Sequence, residues 1–244
     1  MNRRDFMRLT GIGFMTIPFL RRKKKNNMTI QIHSFSNSGF NSGVDMCEWN
    51  HGDTTAVSEQ YPGLVVGVSI FGSETASVSS QGKDFTFVRA DTNGLYRSEI
   101  WYCTNINTTT LTTISVSLSG VADVVAGACV YNYLGGVGVH DGLTGTISIP
   151  LEIGLDLLQD NSIMFSNLCI SSTEQVEPDG NPSDRWNVND GVIENHGLGC
   201  DVGPISPAQN STIGYQNVDE LHIWALSAVE LLTYQDNPPA IMGM

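Results

Sequence analysis

The sequence predicts an all-β fold, a two-sheet antiparallel β-sandwich of jelly-roll or concanavalin-like architecture, and three observations carry that prediction. From residue 28 onward apolar and polar residues alternate with a period of two, the spacing that sends successive side chains to opposite faces of a strand. Clusters of Gly, Asn, Asp and Pro interrupt the alternating runs and favour tight reversals. No segment sustains the apolar stripe by which a helix buries one face.

Taken in chain order, strands are predicted over residues 29–35, 64–71, 84–90, 98–104, 112–119, 124–133, 146–153, 162–170 and 221–231, enough for two packed sheets. The clearest is 112–119. There Ile114, Val116 and Leu118 point one way and Thr113, Ser115, Ser117 and Ser119 the other, so one face is buried and the other wet. By contrast, 124–130 and 223–229 are apolar on both faces, as expected of central strands whose second face is covered by loops or a neighbouring subunit. Trp224, in the second of these, and Trp101, in the run 98–104, read as core anchors. Between the runs, Asp91-Thr-Asn-Gly94, Gly135-Gly136, Asp141-Gly142 and Asp179-Gly-Asn-Pro182 read as turns. Residues 37–62 and 174–213 are long, polar and Gly-rich, and they are the expected functional loops.

Charge divides the chain in two. Residues 1–27 carry eight of the twelve basic residues against Asp5, a net +7, whereas the remainder sets four basic residues against 24 acidic ones, a net −20. A body of that sign repels nucleic acid and anionic membranes, so a polyanion contact has to come from the leader. Charged residues make up only 15 % of the chain, and Ser, Thr, Asn and Gly supply the polar faces instead. The expected domain organisation is a basic leader over 1–27 and one sandwich domain over 28–244.

The leader contains Asn2-Arg3-Arg4-Asp5-Phe6-Met7-Arg8, which resembles a twin-arginine export signal, with Arg3, Arg4 and Phe6 at its diagnostic positions. Twelve mildly apolar residues follow, too few to span a bilayer. The dense basic block 21–25 and the lack of a small-x-small cleavage site leave two other readings open: a basic arm that neutralises nucleic acid, or true initiation at Met28. The export reading places the protein in the periplasm or outside the cell, and the arm reading places it in a virion.

Four stretches of the body carry a family resemblance: 65–70, Ser98-Glu-Ile-Trp-Tyr102 with the alternating 114–120, 122–128, and Trp224-Ala-Leu-Ser-Ala-Val-Glu230. Over residues 64–231 the chain resembles β-sandwich domains of phage structural proteins and bacterial surface proteins. These are similar to jelly-roll or lectin-like sandwiches that decorate particles or bind glycans. What the resemblance implies is architecture and context, because the stretches are fold-determining.

Motifs for chemistry are sparse. The sequence has no Gly-x-Ser-x-Gly elbow, no phosphate-cradling Gly-rich loop after a strand and no His-Glu-x-x-His. His33, His51, His140, His196 and His222 are dispersed. Cys47, Cys103, Cys129, Cys169 and Cys200 form no CxxC pair or zinc-like spacing, and an odd count leaves at least one thiol unpaired. Cys103, Cys129 and Cys169 sit within apolar runs and read as small buried hydrophobes. The most suggestive cluster is 184–190. There Trp186 offers a ring for stacking on a sugar, and Asn187, Asn189 and Asp190 offer hydrogen bonds to its hydroxyls. Asp179, Asn181 and Asp184 supply oxygen ligands suited to calcium, without EF-hand spacing, and no other cofactor is expected.

The leading expectation is a non-catalytic sandwich, exported or displayed on a particle, whose partners are glycans or other surface or virion proteins, with self-association among them. A capsid-like shell protein with a nucleic-acid-binding arm is a second reading. A secreted carbohydrate-active enzyme using paired carboxylates near Trp186 is a third.

Overall fold

A computed structural model describes residues 28–51, 61–80, 82–104, 106, 112–146, 151–173, 176–192, 194–216 and 222–235. The leader, with Arg3, Arg4 and Phe6, lies outside the described residues. Among those described the chain forms strands and no helix, hence no helix long and apolar enough to cross a membrane. The strands are β1 (Gln31–His51), β2 (Gly63–Phe71), β3 (Ala76–Ser80), β4 (Lys83–Asp84), β5 (Thr86–Asn93), β6 (Tyr96–Thr104), β7 (Thr112–Asn132) and β8 (Leu134–Gly145). They continue as β9 (Leu151–Asp156), β10 (Ser162–Ser171), β11 (Glu177–Pro178), β12 (Ser183–Asn189), β13 (Asn195–Ile205), β14 (Asn210–Gln216) and β15 (Trp224–Thr233).

All pairings are antiparallel. The first sheet runs β4-β3-β7-β2-β6-β5, with β1 paired along β7; the second runs β12-β13-β10-β15-β8; a smaller third runs β11-β14-β9. The predicted antiparallel sandwich is therefore present, with one sheet curled into half a barrel.

The curl follows from the β1–β7 ribbon. Seventeen residues of straight strand span roughly 55 Å, yet Ser34 Oγ lies 2.8 Å from His51 Nε2, so the ribbon doubles back on itself. The reversal is spread over register shifts between Asn37 and Met46, and Asp123 clamps it by accepting hydrogen bonds from Ser42 Oγ and the Gly43 amide, both at 2.8 Å. Folding over in this way encloses one core between the two halves of the ribbon. It contains Cys47, Trp49, Val78, Ile114 and Val116 on the curled side and Val66, Val68, Val124, Ala126 and Ala128 on the other.

Strict alternation then builds two further cores. Val65, Val125 and Cys129 on the opposite face of β2 and β7 meet Ile163, Phe165, Val229 and Leu231 of β10 and β15. The remaining face of those two strands, with Met164, Leu168, Leu226 and Ala228, is covered by Leu151, Ile153, Ile213 and Tyr215 of the third sheet. This explains the two-sided apolar strands with a correction: their second faces are covered by strands of the same chain, the curled half of the first sheet and the third sheet.

Several predicted boundaries need correction. The segments 112–119 and 124–133 are one strand, β7, which bends without breaking. Residues 37–51 of the expected loop belong to β1. The expected loop 174–213 contains β11, β12, β13 and the start of β14. Its glycines reflect close packing: a Cβ at Gly197 would meet Val125 and Ser69, and one at Gly199 would meet the Trp186 ring. The Asp141-Gly142 pair lies inside β8, where Gly142 leaves room for the Asp91 carboxylate of β5. The reversal before β8 is made by Tyr133 at φ 60°, ahead of Gly135-Gly136. Asp179–Pro182 is a turn as expected, with Gly180 at φ 84°. Trp224 is buried, whereas Trp101 is only half-buried, its Nε1 donating to Glu99 Oε2 at 2.8 Å.

Candidate functional site

The alternation that packs the third sheet onto the second also decides what it shows to solvent. In β9 the pattern Leu-Glu-Ile-Gly-Leu-Asp turns every apolar side chain inward and leaves Glu152 and Asp156 outward. Opposite them in β14, Asn210 and Thr212 also face out, and Asn210 Nδ2 donates to Asp156 Oδ1 at 2.8 Å. The turn between β11 and β12 closes over this surface, held by the Asp179 amide donating to Gly214 O at 2.9 Å.

The result is an open groove of about 500 Å³, within the range of small-molecule sites. Glu152, Asp179, Asn181, Gln209, Asn210, Ser211 and Thr212 supply its polar lining, and Val202 and Ile205 an apolar strip from the end of β13. Among the described residues no basic one lines it. The groove therefore presents carboxylates that accept, hydroxyls that do both, and amides that donate and accept side by side, a set suited to a neutral ligand rich in hydroxyl groups.

Of the residues expected to bind a ligand, Asp179 and Asn181 line this groove and the others do not. Trp186 is 3 % exposed and points from β12 into the space between the two large sheets, against Phe165 at 5.8 Å between ring centroids. Cβ atoms at Gly67, Gly127 and Gly199 would collide with its indole, so three glycines from two sheets form its slot. A ring at that depth offers no face to a sugar in solution, which corrects the stacking role expected for it. Asn187 is a structural tie, its amide donating to Val176 O at 2.6 Å while Oδ1 meets His196 Nε2 at 2.5 Å. Asn189 ends β12 on the exposed side. Asp190 closes a turn, Oδ1 accepting the Val192 amide at 2.9 Å. Asp184 is exposed on β12, outside the groove lining. Partial burial nevertheless holds its carboxyl above the usual carboxylate range, against a lowering hydrogen bond from Asn187.

Among the described residues no three His, Cys, Asp or Glu side chains converge as cation ligands. Of the calcium ligands expected from the cluster of oxygen-bearing side chains, Asp179 and Asn181 line the groove and Asp184 does not. Among the described residues no histidine lines the groove. His51 sits between Ser34 and Ser36, His140 Nδ1 lies 3.3 Å from Arg89 Nη1, and His222 is buried. All five cysteines are free thiols, with Cys129 and Cys169 buried as expected and Cys103 only half-buried.

The residues that the sequence reading missed, Glu152, Asn210, Ser211 and Thr212, carried a signal of an ordinary kind. Glu152, Asn210 and Thr212 are outward positions of two neighbouring alternating strands, and Ser211 lies half-buried between the last two. Seeing them as one surface required knowing that β9 and β14 pair.

No protein-family model matches the chain, and no curated protein matches it either. What fold and site define is a class alone: an antiparallel β-sandwich with a polar, base-free groove along its third sheet.

Proposed function

We propose that the chain is a non-catalytic β-sandwich, displayed outside the cell or on a particle, that binds glycans through the groove along β9 and β14. The observation that carries this reading is the lining itself: carboxylate, carboxamide and hydroxyl groups beside a narrow apolar strip, with no cationic side chain among the described residues. Pyranose rings have the complementary character, hydroxyls that donate and accept around an apolar ring face. Placement outside the cell rests on the twin-arginine-like stretch at Arg3, Arg4 and Phe6. The hydroxyl-rich strand faces agree with it. On the curled half, Thr113 and Ser115 hydrogen-bond outward to Asn50 and Glu48.

A glycan array probed with the full chain tests the reading. Binding to a defined neutral glycan is expected, weakened about tenfold by Asn181→Ala, the loss of one or two hydrogen bonds. A blank array with folded protein would overturn it.

A further inference from the structure

A second groove, of about 490 Å³, adjoins the first at the same end of the sandwich, and its walls differ in kind. Leu158, Leu232 and Tyr234 make it largely apolar, and Gln159 and Gln235 place amides at its edge. Tyr234 is backed by Tyr61, the two rings stacked at 3.5 Å between centroids and 13° between planes. An aromatic face with amides beside it is what the apolar face of a pyranose packs on, and among the described residues no aromatic one lines the polar groove.

The turn 157–161 links the two grooves, and hydrogen bonds from its backbone amides hold it in place. Glu230, with no exposed surface, accepts the amides of Leu158 and Gln159 at 2.9 and 3.0 Å. The Leu157 amide donates to Gln209 O at 3.2 Å and that of Asn161 to Ile205 O at 2.8 Å, and both acceptor residues line the polar groove. Leu158 crowns the ridge at 69 % exposure. One turn thus lines the apolar groove through Leu158 and Gln159 and is hydrogen-bonded at both its ends to residues that line the polar one, which places the two grooves on either side of it.

We infer that the site takes a linear, neutral oligosaccharide spanning both grooves, its hydroxyls held by the polar groove and one ring stacked on the Tyr234–Tyr61 pair across the Leu158 ridge. This rests on the glycan reading of the polar groove and extends it to chain length and charge. Neutrality follows from Glu152 and Asp179 in the groove and from the body charge of −20, both of which repel uronic and sulfated chains.

Calorimetric titration of the full chain with linear gluco-, manno- and xylo-oligosaccharides, from disaccharide to hexasaccharide, tests the inference. Affinity is expected to rise with length. Tyr234→Ala is expected to lower hexasaccharide affinity roughly tenfold while leaving disaccharide affinity unchanged, the scale of one stacking contact. Leu158→Ala, at an exposed position, should act in the same direction without touching the fold. Equal affinity at all lengths, unmoved by either variant, would overturn the inference and leave the polar groove as a short-glycan site. Absence of binding at every length would overturn both. Dimerisation that Leu158→Ala abolishes, with sugar affinity unchanged, would assign the second groove to another copy of the chain and overturn the inference as well.

Discussion

At the scale of single residues, the folded ribbon is pinned by a histidine with no exposed surface. His51 Nε2 and Nδ1 lie 2.8 and 2.7 Å from the hydroxyls of Ser34 and Ser36, and Ser36 Oγ also accepts Trp49 Nε1 at 2.9 Å. Burial pushes the His51 pKa down to about 4, and the neighbouring His33 adds repulsion. The unfolded chain therefore takes up this proton first as pH falls. The stability that neutral His51 contributes is complete above the ordinary value of 6.5, declines below it, and is lost by about pH 4. The full difference is about 3 kcal/mol. In denaturant titrations, His51→Gln is expected to flatten the stability loss between pH 7 and 4 by about that amount; an unchanged slope would refute the role. The cysteines make a second residue-level case. Burial pushes the Cys47 thiol up to about 11 and Cys200 up to about 12, and raises Cys129 and Cys169 further above the usual range. Iodoacetamide applied to the native protein should label half-buried Cys103 well ahead of the other four, a ranking that peptide mass spectrometry reads directly. Equal labelling would mean that the sheets open readily.

The elements show why some strands could be read and others could not. β2, β10 and β15 were legible because they are short, nearly continuous apolar runs without a helical stripe, in β2 reinforced by β-branched Val and Ile. β12 and β13 were not. One is an edge strand with polar outward positions, and the other spends Gly197 and Gly199 on close approach, so both carry the composition of a loop. Trp186 was legible as a singular residue and misjudged in direction. Its burial depends on glycines distant in sequence, which no local pattern around residue 186 reveals. Asp179 and Asn181 were legible as a turn rich in oxygen ligands, while Glu152 and Asn210 needed the β9–β14 pairing. A prediction belongs to this scale. Trp186→Ala leaves a cavity beside Phe165 and between Gly67 and Gly127, and should cost about 3–5 kcal/mol in chemical denaturation. If Trp186 instead served a ligand, the variant would keep its stability and lose binding.

For the molecule as a whole, the separation of charge predicts behaviour that the two halves do not share. A chain beginning at Met28 should pass through a heparin column at low salt, because its net charge is −20, and any retention of the full chain should fall steeply as salt rises. Retention of the shorter chain would show that the body has a basic surface which its composition denies. Folding should be slow for its size, since most contacts join segments distant in sequence. The Tyr133 turn has one more consequence. The strand before it pairs with the first residue of β1, Gln31 with Asn132, and the strand after it pairs with the last of β15, Thr233 with Leu134. Entry and exit of the sandwich therefore lie side by side, and the order in which the sheets are threaded is a matter of where the backbone happens to be cut. A circular permutant with a short linker joining β15 to β1, and new ends opened at the Gly94-Leu95 hairpin, should fold to the same spectrum and keep both grooves.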